Sequence, residues 1–202
     1  MRLHGASRYL SSMGFRRSRS TKTYDEASLY EYAVGALSRK MRTVAELKRL
    51  MRERVRLQDN GAELIETVVE RLKQQRYLND TQYATTYSHF RQENEKFGRI
   101  RVVQDLKTKG IHSDVIEKTV GAAYAGVNEE KLAREFLRKK RSAKPKDQRE
   151  SARIFRRMIR AGFSSRVIIK VLKSWDVDEE TLIALEQETL DAELAAHAES
   201  QE

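Results

Sequence analysis

Val103-Gln104-Asp105-Leu106-Lys107-Thr108-Lys109-Gly110-Ile111-His112-Ser113-Asp114-Val115-Ile116 is echoed about fifty residues later by Phe155-Arg156-Arg157-Met158-Ile159-Arg160-Ala161-Gly162-Phe163-Ser164-Ser165-Arg166-Val167-Ile168. In each copy two apolar residues stand three apart, a glycine follows four later, and an apolar residue comes directly after it. A serine cap and a fresh apolar pair then open the next segment. Such a string reads as helix, glycine stop, sharp turn, helix. Written twice, it predicts stacked helical units that bind partners along a surface, a layout unlike an enzyme built around one pocket.

Helix starts surround this pair. Thr23-Tyr24-Asp25-Glu26, Thr43-Val44-Ala45-Glu46, Asn60-Gly61-Ala62-Glu63 and Asp147-Gln148-Arg149-Glu150 each place a capping side chain three before a carboxylate, and Asn79-Asp80-Thr81-Gln82 is a fifth example. Between them the apolar spacing is helical. Ala27, Tyr30, Ala33, Val34, Leu37 and Met41 are expected to line the first helix, and Ile100, Val103 and Leu106 the fifth. Nine helices result, in three groups of three, and each group encloses a small core that needs its neighbour. The predicted fold is all-α, with three tandem three-helix repeats stacked into an elongated array. The expected division is a disordered basic arm at 1–23, repeats at 24–78, 79–126 and 127–175, and an acidic helix and tail at 176–202.

Charge is uneven along the chain. Residues 1–23 hold six basic side chains and no acid, and 176–202 hold ten acids and no Lys or Arg. Setting aside the arm's six positive and the tail's ten negative charges leaves 24–175 at +14, against a net +10 for all 202 residues. A basic middle points to a polyanionic partner, either nucleic acid or an acidic protein surface. The tail helix, predicted from Asp178 to about Leu194 with Leu182, Leu185 and Leu190 on it, either folds back on this body or frays. The chain has no cysteine, which excludes disulfides and thiolate zinc sites and fits the cytoplasm, and no apolar run approaches a membrane span.

The middle unit carries a family pattern. Tyr77-Leu78-Asn79-Asp80, then Tyr83-Ala84, Phe97-Gly98-Arg99-Ile100-Arg101 and Leu106-Lys107-Thr108-Lys109-Gly110-Ile111 resemble the RecX family of bacterial regulatory proteins. The resemblance covers roughly residues 27–175, with Asn79 in place of the usual Asp of the first turn. It implies a curved body lying in the groove of the RecA filament on single-stranded DNA. There it would restrain RecA's ATP hydrolysis, strand exchange and coprotease stimulation, as a monomer without cofactor, metal or catalytic residues.

Three basic groups are candidate contacts with the filament or, more weakly, with DNA directly. Arg99, Arg101, Lys107 and Lys109 flank the apolar stripe of the fifth helix, and Arg153, Arg156, Arg157 and Arg160 do so on the eighth. Together they are expected to form a charged stripe, with an ordinary solvated face as the plainer reading. Arg138-Lys139-Lys140-Arg141 is a nucleic-acid patch or a cationic helix end, or both. The helix after Gly110 offers Ser113, Asp114, Glu117 and Lys118, poor chemistry for reading base edges. Tyr77, Tyr83, Tyr87, Phe90, Phe97 and Phe136 read as core. The four histidines lack metal-ligand spacing, and no phosphate loop or nucleophile motif occurs.

Overall fold

The computed structural model describes residues 23–199, which form ten α-helices and no strand. They are α1 (Glu26–Arg39), α2 (Val44–Val55), α3 (Gly61–Gln74), α4 (Asp80–Glu93), α5 (Arg99–Thr108), α6 (Ser113–Tyr124), α7 (Glu129–Lys139), α8 (Gln148–Arg160), α9 (Ser165–Lys173) and α10 (Glu179–Glu199). The first nine pack as α1–α3, α4–α6 and α7–α9, a tandem array of three-helix units, and α10 lies on α8 and α9. The expected arm falls outside the described residues except for Thr23.

Capping chemistry sets most of the starts. Thr43 accepts from the Glu46 N–H at 3.1 Å while Glu46 reaches back to the Thr43 N–H, a complete capping box. Asn79 caps Gln82 at 2.9 Å, Asp147 caps Glu150 at 2.7 Å and Ser164 caps Val167 at 3.4 Å. Three starts differ from expectation. Asp25, not Thr23, caps α1, because its carboxylate and the Ser28 hydroxyl close a box two residues later. Asn60 keeps φ −87° and ψ 9°, not the extended cap conformation, so its side chain makes no capping bond. At α6 the cap position belongs to His112, and Ser113 is already helical.

Five helices end in the same way. The N–H five residues on bonds back to Leu72, Leu106, Leu137, Met158 and Leu172, from Tyr77, Ile111, Ser142, Phe163 and Val177 respectively. This is the Schellman closure, which needs a left-handed residue just before the donor. Gly110 (φ 74°) and Gly162 (φ 86°) supply it in the quoted repeat, while Arg76, Arg141 and Asp176 supply it elsewhere at φ 50–61°.

Two helix faces are rotated from the expected ones. In α1 the buried residues are Leu29, Ala33 and Ala36, while Ala27 and Met41 are exposed. In α5 Val102 and Leu106 are buried and Ile100 is 48% exposed. Tyr77 and Phe90, expected in the core, are 60% and 51% exposed. The first unit has its own core, with Leu47, Met51, Val68 and Leu72 fully enclosed. The second and third units share one, in place of the separate small cores expected. Phe136 and Phe163 meet there with ring centroids 5.7 Å apart, and α10 adds Leu182 and Leu185.

The junctions between units follow one rule: the start of a unit's second helix receives the glycine turn that ends the next unit's second helix. At the first junction Thr43 Oγ donates to the Lys109 carbonyl at 2.7 Å, and Gly110 sits against Ala45 with no room for a side chain. At the second, the Gly98 N–H donates to the Ala161 carbonyl at 2.8 Å and the Ile100 N–H to Gly162 at 3.3 Å. The start of α5 therefore has no side-chain cap, because carbonyls of the third unit replace it.

Candidate partner-binding surface

At the first junction, polar groups from α2, α4 and α5 converge. Lys109 Nζ lies 2.9 Å from Glu46 and about equally near the Tyr83 and Tyr87 rings, at 5.5 and 5.6 Å. Tyr87 donates its hydroxyl to Asp105 at 2.9 Å, and Arg101 pairs with the other oxygen of Asp105 at 2.9 Å. Arg91 lies over the Tyr87 ring at 4.8 Å. Burial works against the charge on Glu46, but Lys109 and the Thr43 N–H outweigh it and hold its pKa below the ordinary value. Lys109 is shifted the other way: burial disfavours its charge, yet the contacts with Glu46 and Tyr83 raise its pKa. Burial also pushes the Tyr87 hydroxyl up, and the Asp105 carboxylate adds to it.

The twelve candidate cations divide into engaged and free groups. Lys109 is only partly exposed and is neutralised by Glu46, so it holds units one and two together. Arg101 is committed to Asp105 and abuts Gly162. Arg156 pairs with Glu188 of α10 at 2.9 Å, and Arg157 donates to Ser142 at 3.0 Å. Lys139 donates to the Asn94 carbonyl and lies 3.5 Å from Glu95, bridging the second and third units. Lys140 lies over Phe136, and Arg153 is 3.9 Å from Glu150. Arg99, Lys107, Arg138, Arg141 and Arg160 are exposed and make no ion pair among the described residues.

The two basic helices are not equivalent. In the register fixed by Gly110 and Gly162, Arg153 matches Arg101, but Arg156, Arg157 and Arg160 stand where α5 has Gln104, Asp105 and Thr108. Of the basic positions expected to match between the two helices, the register therefore aligns one pair, Arg101 with Arg153. The acidic helix takes part as well. Besides Arg156–Glu188, Lys173 pairs with Glu179 at 2.6 Å, and Asp176, in the turn that precedes the helix, pairs with Lys144 at 2.6 Å. It folds back on the third unit, and Leu190 stays 47% exposed.

Sequence reasoning missed the exposed apolar pair Met41 and Phe90. Met41 lies beyond the end of α1, where helical periodicity no longer applies, and Phe90 is one turn past Tyr87 on a helix whose faces carry mixed chemistry.

Among the described residues no helix is long and apolar enough to cross a membrane. Residues 79–120 match the model of the second three-helix domain of RecX. The chain is 34% identical over 112 residues to a regulatory protein RecX of Leptothrix cholodnii, covering 55% of this chain and 69% of that one. It is 34% identical over 158 residues to that of Deinococcus radiodurans, covering 75% and 71%. The fold superposes on the crystal structure of RecX from Lactobacillus salivarius with a TM-score of 0.59 at 20% identity, over 75% of this chain and 96% of the other. The tandem helical units, the glycine turns that join them and these likenesses agree: the chain belongs to the RecX family of regulatory proteins.

Proposed function

We propose that this chain regulates RecA in the cytoplasm by binding, as a monomer and without chemistry of its own, along the groove of the RecA filament on single-stranded DNA. The observation that carries the reading is the set of uncommitted cations, Arg99 and Lys107 on α5 and Arg160 at the end of α8, on an array built of repeating units. A body of stacked units is suited to bridging several subunits of a repeating partner. By holding neighbouring subunits in one arrangement it would slow ATP turnover, and by filling the groove it would hinder strand exchange and coprotease substrates. Free cations supply salt-sensitive attraction to acidic side chains lining such a groove.

The basic end of α7, with Arg138 and Arg141 unpaired, favours a second reading as a nucleic-acid-binding module that acts without the filament. One experiment separates the two: DNA-dependent ATP hydrolysis by RecA titrated with this protein, beside a mobility shift on the same DNA without RecA. Inhibition below one protein per RecA with no shift of bare DNA supports filament regulation. Inhibition only at concentrations that coat the DNA overturns it in favour of the second reading.

A further inference from the structure

The first junction opens into a cavity of about 390 Å³ whose lining has an unusual division of chemistry. Its apolar wall is made by Met41, Tyr83, Tyr87 and Phe90, and Met41 and Phe90 are 50% and 51% exposed although large and apolar. Its charged groups are Lys40, Arg91 and Lys109, with no carboxylate among the lining residues. Arg91 makes no ion pair among the described residues, and its buried Nε has no hydrogen-bond partner. Lys109 is already neutralised by Glu46, which leaves Lys40 and Arg91 without an ion pair among the described residues. An apolar hollow between two such cations suits a ligand that carries one large apolar group between negative charges.

Two ligand classes have that description, a nucleobase between phosphates and an apolar side chain between carboxylates. Base stacking needs open rings, and the lining offers only that of Phe90: Lys109 lies over both Tyr83 and Tyr87, and Arg91 covers Tyr87 as well. The two tyrosines are also stacked on each other with centroids 5.9 Å apart. Of the open apolar groups one is Met41, a flexible thioether that moulds to branched or aromatic side chains. The chain's own ends do not fit. Residues 1–22 carry no acid and would be repelled, and residues 195–202 (Ala-Ala-His-Ala-Glu-Ser-Gln-Glu) carry no large apolar side chain.

We infer that the Met41–Phe90 hollow is a docking site for an acidic segment of another protein, which inserts one large apolar side chain between Met41 and Phe90 and sets its flanking carboxylates against Lys40 and Arg91. Of the candidate cations on α5 and α8 only Lys109 lines this hollow, and the free ones, Arg99, Lys107 and Arg160, do not.

The test is fluorescence polarisation with a labelled peptide in which one Phe is flanked on each side by two glutamates. Saturable binding in the micromolar range is expected. It should weaken about tenfold or more in Phe90→Ser and in Met41→Ser, both exposed positions whose change leaves the helical circular dichroism intact. A peptide with Ala for Phe should bind comparably weakly, and Arg99→Glu should leave binding unchanged. No saturation up to millimolar peptide, or binding indifferent to Phe90 and to the peptide's Phe, overturns the proposal. So does displacement of the peptide by an oligothymidylate whose own binding requires Phe90, since the hollow would then be a nucleic-acid site. Sedimentation supplies the last arm: self-association abolished by Phe90→Ser would make a second copy the occupant and would also overturn it.

Discussion

Gly98 and Gly162, sixty-four positions apart, press their backbones together so closely that a Cβ on either would overlap the other's surroundings. On Gly98 it would strike the Gly162 carbonyl, and on Gly162 the backbone of Arg101. Gly162 also holds φ 86°, a conformation that side chains disfavour. Alanine at either position is expected to lower stability by at least about 2 kcal/mol, read from urea denaturation. Gly35 and Gly121, helical and with nothing within 4 Å of an added Cβ, are the controls. There Ala is expected to be neutral or to stabilise by up to about 1 kcal/mol.

Thr43 is fully buried and serves two partners, accepting from the Glu46 N–H and donating to the Lys109 carbonyl. Valine matches its shape but leaves both groups unpaired. Thr43→Val is therefore expected to cost about 1–3 kcal/mol, more than the loss of an exposed cap. Asn128, which caps only the Lys131 N–H at an exposed site, gives the comparison: Asn128→Ala should cost about 1 kcal/mol.

The same junction has a pH signature. The folded pKa of Glu46 lies below its ordinary 4.5, so its contribution is present above that value and lost as pH falls through the lowered one. Asp80 runs oppositely. Burial raises its pKa above the ordinary 3.8 despite the Val44 N–H it accepts, so charging it costs stability that is recovered on acidification. Glu46→Gln should destabilise at neutral pH and flatten the fall in melting temperature between neutral pH and about pH 3. Asp80→Asn keeps an acceptor for Val44 and should be neutral or stabilising at neutral pH. An unchanged acid limb in Glu46→Gln would mean that the pair with Lys109 contributes nothing to folding.

What was legible in the sequence was local. Thr43, Asn79, Asp147 and Ser164 announce helices because a cap and the N–H it satisfies are three residues apart, and Gly110 and Gly162 announce turns because only glycine reaches their φ cheaply. The stops at Arg76, Arg141 and Asp176 have the same geometry and were invisible, since the left-handed residue there is ordinary and the hydrogen bond alone marks the turn. Charge was legible as an amount but not as availability. Lys109 and Lys107 look alike in the sequence, yet Glu46, sixty-three residues away, claims Lys109 and leaves Lys107 free. Long-range pairing of this kind leaves no mark on spacing, and neither does the placing of Met41 and Phe90 around one hollow.

The acidic helix contributes to stability before it contributes to anything else. Leu182 and Leu185 are 1% and 6% exposed and complete the core shared by the second and third units. Leu182→Ala is expected to cost about 2–5 kcal/mol, and ending the chain at Val177 should cost more, seen as a lower melting temperature. Glu188→Gln removes only the exposed partner of Arg156 and should change stability by less than about 1 kcal/mol.

The cations that remain free make the sharpest prediction about regulation. Arg101 does not serve as a test position, because it faces Asp105 one turn away, and a carboxylate there would repel it and disturb the contact with Gly162. Arg99 and Lys107 are exposed and unpaired on the same helix, so Arg99→Glu with Lys107→Glu tests the surface without touching the fold. The double variant is expected to keep the parent's melting temperature within a few degrees and to need about tenfold more protein for half-inhibition of RecA's ATP hydrolysis. The gap between parent and variant should narrow as salt rises from about 50 to 200 mM, because screening weakens what the parent still has. Equal inhibition by both proteins at low salt would place the contact elsewhere. A shared loss of melting temperature would point instead to α5 packing.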